Sequence, residues 1–159
     1  MNASVSQSAA GRFPPQIRYI IGNEAAERFS FYGMRNVLTV FLIDYLLRNH
    51  PAGKADAQEV FHTFVAGVYL FPLLGGWLSD RFLGKYRTIL WVSLLYCVGQ
   101  LCLAVFDSSP AGFYTGLFLI ALGSGGIKPC VSAFVGDQFT ESNRALIPRV
   151  FGWFYWSIN

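Results

Sequence analysis

The feature that most limits what this chain can become is a succession of apolar runs, each about as long as a bilayer is thick. Val60–Leu78 is nearly all apolar, and Thr88–Phe106 contains no charge. Phe113–Val135 is broken only by Gly123-Ser124-Gly125-Gly126 and by Lys128-Pro129. At 1.5 Å of rise per residue, about 20 helical residues cross a hydrocarbon core roughly 30 Å thick. A further helical pattern, Ile17–Leu47, precedes these runs. Its second half is strongly apolar, while its first half carries Glu24, Glu27, Arg28 and Arg35. Soluble bundles do not present consecutive runs of this length joined by short loops. Composition agrees: 13% of residues are charged, about half the share of an average soluble domain. The expected fold class is an all-α membrane protein.

The pattern predicts four spans, near 17–48, 58–78, 88–106 and 113–136, and the start of a fifth over 150–159. Residues 1–16 form a polar tail ending in Pro14-Pro15 and lacking the basic-then-apolar order of a signal peptide. Because the fifth run is too short to cross, the chain is expected to be part of a longer protein, to which any function belongs. Basic residues set the orientation. Arg12 and Arg18 in the tail, Arg81, Lys85 and Arg87 after the second span, and Arg144 and Arg149 after the fourth favour one side. Arg48 and Lys54 are on the other, and the loop after the third span has no Lys or Arg. The positive-inside rule makes the first side the cytoplasm. An integral protein of the plasma or inner membrane, with a cytoplasmic N-terminus, is the expectation.

Several classes drop out. A net charge of +3 without a basic run gives no nucleic-acid footprint. Cys97, Cys102 and Cys130 are odd in number, lie in apolar segments and lack metal-ligand spacing, so they read as small packing residues. There is no Ser/His/Asp arrangement, metal cluster or phosphate loop, so no enzyme and no cofactor are expected.

The charges inside the spans carry the functional reading. Each costs about 2.5–3.5 kcal/mol at the bilayer centre even on lenient insertion scales, so these side chains must face protein or water. At 100° per residue, Glu24, Glu27, Arg28, Phe31, Tyr32 and Arg35 fall within a sector of about 140°. The stripe could be an ion-pair network that only locks helices, Arg35 could snorkel to an interface, and Glu24 could lie solvated among headgroups. Against these stands Lys128, isolated on another span beside a Gly-rich interruption. Lysine offers three donors and no acceptor, so a dry site must give it an anion or take its proton. Glu24 and Glu27 are the expected anions. The charged spans are the first and fourth, the equivalent members of two successive three-span units, as in transporters built from repeats.

These residues resemble a known family. Glu24-Ala-Ala-Glu27-Arg28-Phe29-Ser30-Phe31-Tyr32-Gly33-Met34-Arg35 resembles the ExxERFxYYGMR signature of the proton-dependent oligopeptide transporter family, within the major facilitator superfamily. The run from Gly75-Gly76-Trp77 to Arg87-Thr88-Ile89 resembles its loop between second and third spans. Gly126-Ile127-Lys128-Pro129, followed by Gly136-Asp137-Gln138-Phe139, resembles its fourth span, and Phe154-Tyr155-Trp156-Ser157-Ile158-Asn159 its FYxxIN signature. Four motifs in order, from residue 24 to 159, are together highly specific.

The resemblance implies the superfamily fold, with this chain as most of its N-terminal six-helix bundle. It implies symport of di- and tripeptides with protons by alternating access, the remaining C-terminal half of the same transporter as partner, and protons as the coupling ion. Arg28, Arg35 and Lys128 would bind the peptide carboxylate, with Tyr32, Tyr69 and Asn159 making polar contacts. Glu24 and Glu27 would couple protons with Arg28 and Lys128. Phe31 departs from the first tyrosine of the YY pair and removes a hydroxyl. The acidic residue for the peptide's amino group belongs to the other half.

The residues on their own terms are compatible with this. A zwitterionic peptide needs a cationic patch, for which Arg supplies a planar fork and Lys a compact charge. Tyr32, Tyr69 and Trp153 suit tolerant side-chain packing, or plain helix packing. His62, followed by Thr63-Phe64, resembles a histidine near the proton path of some members; a helix-packing histidine is the other reading. Asp80, Arg81, Gly84 and Lys85, with Arg87 nearby, fit a conformational latch at a helix end, or else simple topology charges. Two other functions stay open: a proton-coupled carrier of nitrate or another small anion, and a non-transporting sensor that keeps the fold. A channel fits less well, because the charges are mixed rather than a ring of one sign.

Overall fold

The computed structural model describes residues 13–158. Five α-helices account for most of them: α1 Gln16–Phe41, α2 Gly53–Leu78, α3 Lys85–Val105, α4 Pro110–Asp137 and α5 Ile147–Ile158. Pro14-Pro15 sets the start of α1, since proline has no N–H to leave unsatisfied there and its fixed φ suits a helix start. The Ile17 N–H donates to the Pro14 carbonyl at 3.1 Å. Pro110 opens α4 in the same way.

The expected first span does not run on as α-helix to residue 48. After Phe41 the chain widens into a π-helical turn, Leu42–Leu46, closed by the Leu47 N–H on the Leu42 carbonyl at 2.9 Å. α2 ends likewise in a π-helical turn, Ser79–Leu83, whose carbonyl at Ser79 accepts from the Gly84 N–H at 2.9 Å. Gly84 has φ of 74°, a left-handed backbone that glycine adopts without steric cost. The expected loop Ser79–Arg87 is therefore mostly helical, and the α2–α3 corner turns on one residue. α5 starts at Ile147 behind a short 3₁₀ turn, Arg144–Leu146.

Among the described residues, three helices are long and apolar enough to cross a membrane: α2 with its π turn (Gly53–Leu83), α3 and α4. α1, which carries Arg18, Glu24, Glu27, Arg28 and Arg35, is not in that set.

The chain divides into two compact units. Among the described residues, one gathers 13–30 with 131–158, and the other is Phe31–Cys130. In the second unit, Ala57, Phe64, Val68 and Gly75 give α2 one buried stripe at helical spacing. Phe64 and Val68 pack in a core with Phe31, Leu38, Leu42, Tyr96, Phe113, Leu117 and Ile120, in which Phe41 also stacks on Phe113 at 5.1 Å.

Gly123–Gly126 and Lys128-Pro129 interrupt the apolar run but not the helix, and α4 runs unbroken through both. These glycines are contact points. A Cβ added to Gly75 of α2 would fall 2.5 Å from the Gly126 Cα, so the two backbones meet where neither helix has a side chain. Without water to compete for backbone hydrogen bonds, glycine and proline lose much of their power to break a helix, and small residues let helices approach closely. The Cys130 thiol donates to the Gly75 carbonyl at 3.8 Å on the same seam.

Candidate functional site: a buried arginine with two carboxylates, and a lysine among rings

In the first unit, α1 builds a triad from three consecutive members of its charged stripe. The Arg28 Nε lies 3.4 Å from the Glu24 Oε1, one turn earlier. Arg28 also donates from Nε and the guanidinium terminus to the Glu27 Oε2. The spacing explains the arrangement: i and i+4 stack on one helix face, and the adjacent Glu27 reaches back along the same side. Arg28, Glu24 and Glu27 side chains are only 5%, 3% and 6% exposed. Glu24 is thus not a solvated headgroup-level carboxylate, which removes that reading. Two acids and one base sum to −1, and adding one proton to either acid makes the triad neutral. In a buried setting, where net charge is costly, that is a group whose charge state matters to its surroundings.

In the second unit, Lys128 of α4 is half-buried among aromatic rings. Its Nζ lies 5.5 Å from the Tyr69 ring centroid and 6.0 Å from that of Phe31, within reach of the ring quadrupole. Two expected substrate-site residues, Lys128 and Tyr69, are therefore brought together. Phe31, noticed in the sequence only as a lost hydroxyl, is 4% exposed and stacks on Phe64 at 5.9 Å. It forms an apolar wall beside the lysine. Its place in the same sector as Arg28 was the available signal.

Arg35 is half-buried, with its guanidinium carbon 5.8 Å from the Phe61 ring. His62 is exposed and sits edge-on to that ring at 5.8 Å. Phe61 thus carries both groups, and nothing in the sequence had singled it out. Tyr32 is 43% and Tyr69 70% exposed, so both phenols are accessible. The six-residue stripe of α1 accordingly divides: Glu24, Glu27, Arg28 and Phe31 are buried, Arg35 is intermediate and Tyr32 is open.

The second unit also holds a cavity of about 1260 Å³ between α2 and α4, lined by Tyr69 and by Thr63, Tyr114, Asp56 and Glu59 among others. Asp80 and Arg81 sit exposed in the π turn at the end of α2; Gly84 and Arg87 are exposed, and Lys85 is half-buried. Asn159 lies outside the described residues. Among the described residues, no group of three or more His, Cys, Asp or Glu is placed to hold a metal ion.

Known proteins with these features can now be set beside the chain. Its sequence matches the profile of the POT family over residues 86–159. Peptide transporter family 1 of Drosophila melanogaster is 43% identical over 154 residues, which is 92% of this chain and 20% of that protein. Solute carrier family 15 member 1 of Homo sapiens is 40% identical over 176 residues, covering 100% of this chain and 24% of its own length. The crystal structure of the POT family transporter PepTSo matches with a TM-score of 0.90 at 63% identity, over 92% of this chain and 30% of that one. A POT family transporter in complex with 5-aminolevulinic acid matches with a TM-score of 0.81 at 30% identity, over 94% and 31%. The chain spans 20% and 24% of the length of these two curated relatives.

Proposed function

The chain belongs to the POT family of integral membrane transporters and has the all-α major facilitator fold of its solved members, and from that premise we propose that the whole protein is a proton-coupled symporter of di- and tripeptides. Alternating access moves the peptide across the bilayer, with the remaining C-terminal half supplying the rest of the path. Relatives named as peptide transporters support the substrate class. The observation that carries the reading is the buried Glu24–Arg28–Glu27 triad on α1.

Arg28, Arg35 and Lys128 receive the peptide carboxylate, and Tyr32, Tyr69 and Asn159 add polar contacts. The guanidinium of Arg28 already gives charge-assisted hydrogen bonds to carboxylates, the chemistry a peptide C-terminus requires. A substrate carboxylate competes with Glu24 and Glu27 for that fork. A proton on either glutamate weakens that acid's hold on the fork and leaves the other acid paired, so proton and peptide act on one group. That gives each a differential interaction with the two arrangements, which any ligand-driven shift of state requires. Lys128 acts with the triad in coupling, His62 hands protons from its exposed position, and Asp80, Arg81, Gly84 and Lys85 latch the α2–α3 corner. Protons are the coupling ion and no cofactor takes part. The N-terminus faces the cytoplasm.

The test is uptake of a labelled dipeptide into liposomes holding the full-length protein. An inward proton gradient should drive accumulation above the outside concentration, a protonophore should reduce it to equilibration, and excess nitrate should not compete. Equal uptake with and without the gradient contradicts the coupling, and competition by nitrate favours the anion carrier.

A further inference from the structure

In the first unit, the start of α1 and the length of α5 enclose a groove of about 610 Å³ that the transport site does not use. Its walls are apolar: the rings of Phe13, Trp153 and Trp156, with Ile17 and Ile21. Gly22 also lines it, and a Cβ there would meet open space. Two cations stand at this groove. Arg18 is one of its lining residues. Arg149 caps the pair formed by Phe13 and Trp153, whose centroids are 4.8 Å apart, with its guanidinium carbon 5.6 and 5.2 Å from the two rings. Both arginines are exposed, and among the described residues neither has a carboxylate partner. Arg18 instead donates to the Tyr19 hydroxyl at 2.8 Å.

The sequence reinforces the sign. Residues 13–23 and 142–158 contain no Asp or Glu, so the two segments that form the groove bring arginines and no acid. The first turn of α1 adds backbone N–H groups without intrahelical acceptors, an environment that favours anions. Tryptophans beside basic residues at a helix end mark the interface between hydrocarbon and headgroups.

We propose that this groove binds an anionic phospholipid, with an acyl chain along Ile17, Ile21, Trp153 and Trp156 and the headgroup phosphate on Arg18 and Arg149. The chemistry selects this occupant. A free phosphate leaves the apolar wall wet, and a zwitterionic lipid brings an ammonium that two unpaired guanidiniums repel. Stacking on Phe13 and Trp153 holds the Arg149 fork open, which suits a planar donor facing phosphate oxygens. Trp153 takes here the helix-packing role that the sequence also left open, and the other groove residues lie outside those assigned to peptide and proton, so the site stands whether or not the transport reading does.

The experiment is native mass spectrometry of the full-length, delipidated protein titrated with phosphatidylglycerol, phosphatidylcholine or glycerol phosphate. Wild type should hold phosphatidylglycerol in preference to the other two. Arg18→Gln/Arg149→Gln should bind it about 30-fold more weakly, from roughly fivefold per basic residue at an anionic interface. Arg149→Gln alone should lose about fivefold on the same scale, and Arg18→Lys/Arg149→Lys should keep most of the preference because the charge remains. If the double glutamine variant does not fold, the single and lysine variants still decide. Equal binding of phosphatidylcholine, unchanged binding by Arg149→Gln, or glycerol phosphate binding as tightly as the lipid would each overturn the proposal.

Discussion

α3 and α4 are neighbours in sequence, and both are apolar enough to span a membrane, yet they use that apolarity in opposite ways. α3 contains no charge after Arg87, and only 22% of its most apolar stretch is buried within the chain. Leu90, Trp91, Leu94, Val98, Leu101 and Val105 all stay exposed. α4 carries Lys128 and four closely spaced small residues, and 56% of its corresponding stretch is buried. The helix with the larger side chains is the more exposed one. In lipid, large apolar residues have no reason to leave the tails, whereas small ones permit the close packing that holds helices together. Large apolar residues therefore mark the faces left open within this chain, and glycine marks where its helices meet. Charge marks a third condition: α1 fails the apolarity test and yet buries Glu24, Glu27 and Arg28.

That ordering of charge, small residue and large apolar residue can be broken experimentally, and it predicts effects of decreasing size. Arg28→Ala leaves two buried carboxylates without their shared base, which should cost about 3–5 kcal/mol of stability. It should also weaken dipeptide binding by roughly 10- to 100-fold through the lost charge-assisted bonds. Thermal unfolding and binding calorimetry on the full-length protein read both, and wild-type values in both would remove Arg28 from the site. Gly75→Ala forces a methyl into the Gly126 backbone, and overpacking of this kind should cost about 1–3 kcal/mol. Its neighbour is the control, because a Cβ on Gly76 meets nothing within 4 Å. Gly76→Ala should change stability by no more than about 1 kcal/mol, and in the stabilising direction. A pair that melts alike would show that the α2–α4 contact is not tight. The smallest effect belongs to the face of α3: Leu94→Ala should stay within about 0.5 kcal/mol. A large loss there would mean that the exposed face is covered by protein.

Much of this was legible in the sequence. The apolar runs correspond to α2, α3 and α4 because length and lipid solubility are properties of the residues themselves. The stripe in α1 was also legible, since helical spacing alone puts Glu24 and Arg28 on one face, as their 3.4 Å contact reflects. Gly123-Ser124-Gly125-Gly126 and Lys128-Pro129 interrupt the apolar run, but not the helix: α4 continues through them, and Gly123, Gly125 and Gly126 lie against α2 and α3. The π-helical turns at Leu42–Leu46 and Ser79–Leu83 left no signal in residue type. Partnerships between elements were likewise hidden. No local pattern announces Lys128 facing the rings of Phe31 and Tyr69, or Arg149 capping Phe13 and Trp153.

The contrast between α3 and α4 turns finally on Lys128, the one charge that α4 carries before Asp137. If it serves coupling, its removal should separate two activities that a structural lysine would lose together. The measurement is paired, in the same liposomes: accumulation of labelled dipeptide under an inward proton gradient, and counterflow exchange without one. Lys128→Gln is predicted to retain part of the exchange and to lose gradient-driven accumulation. Accumulation at the wild-type level in Lys128→Gln would contradict the account.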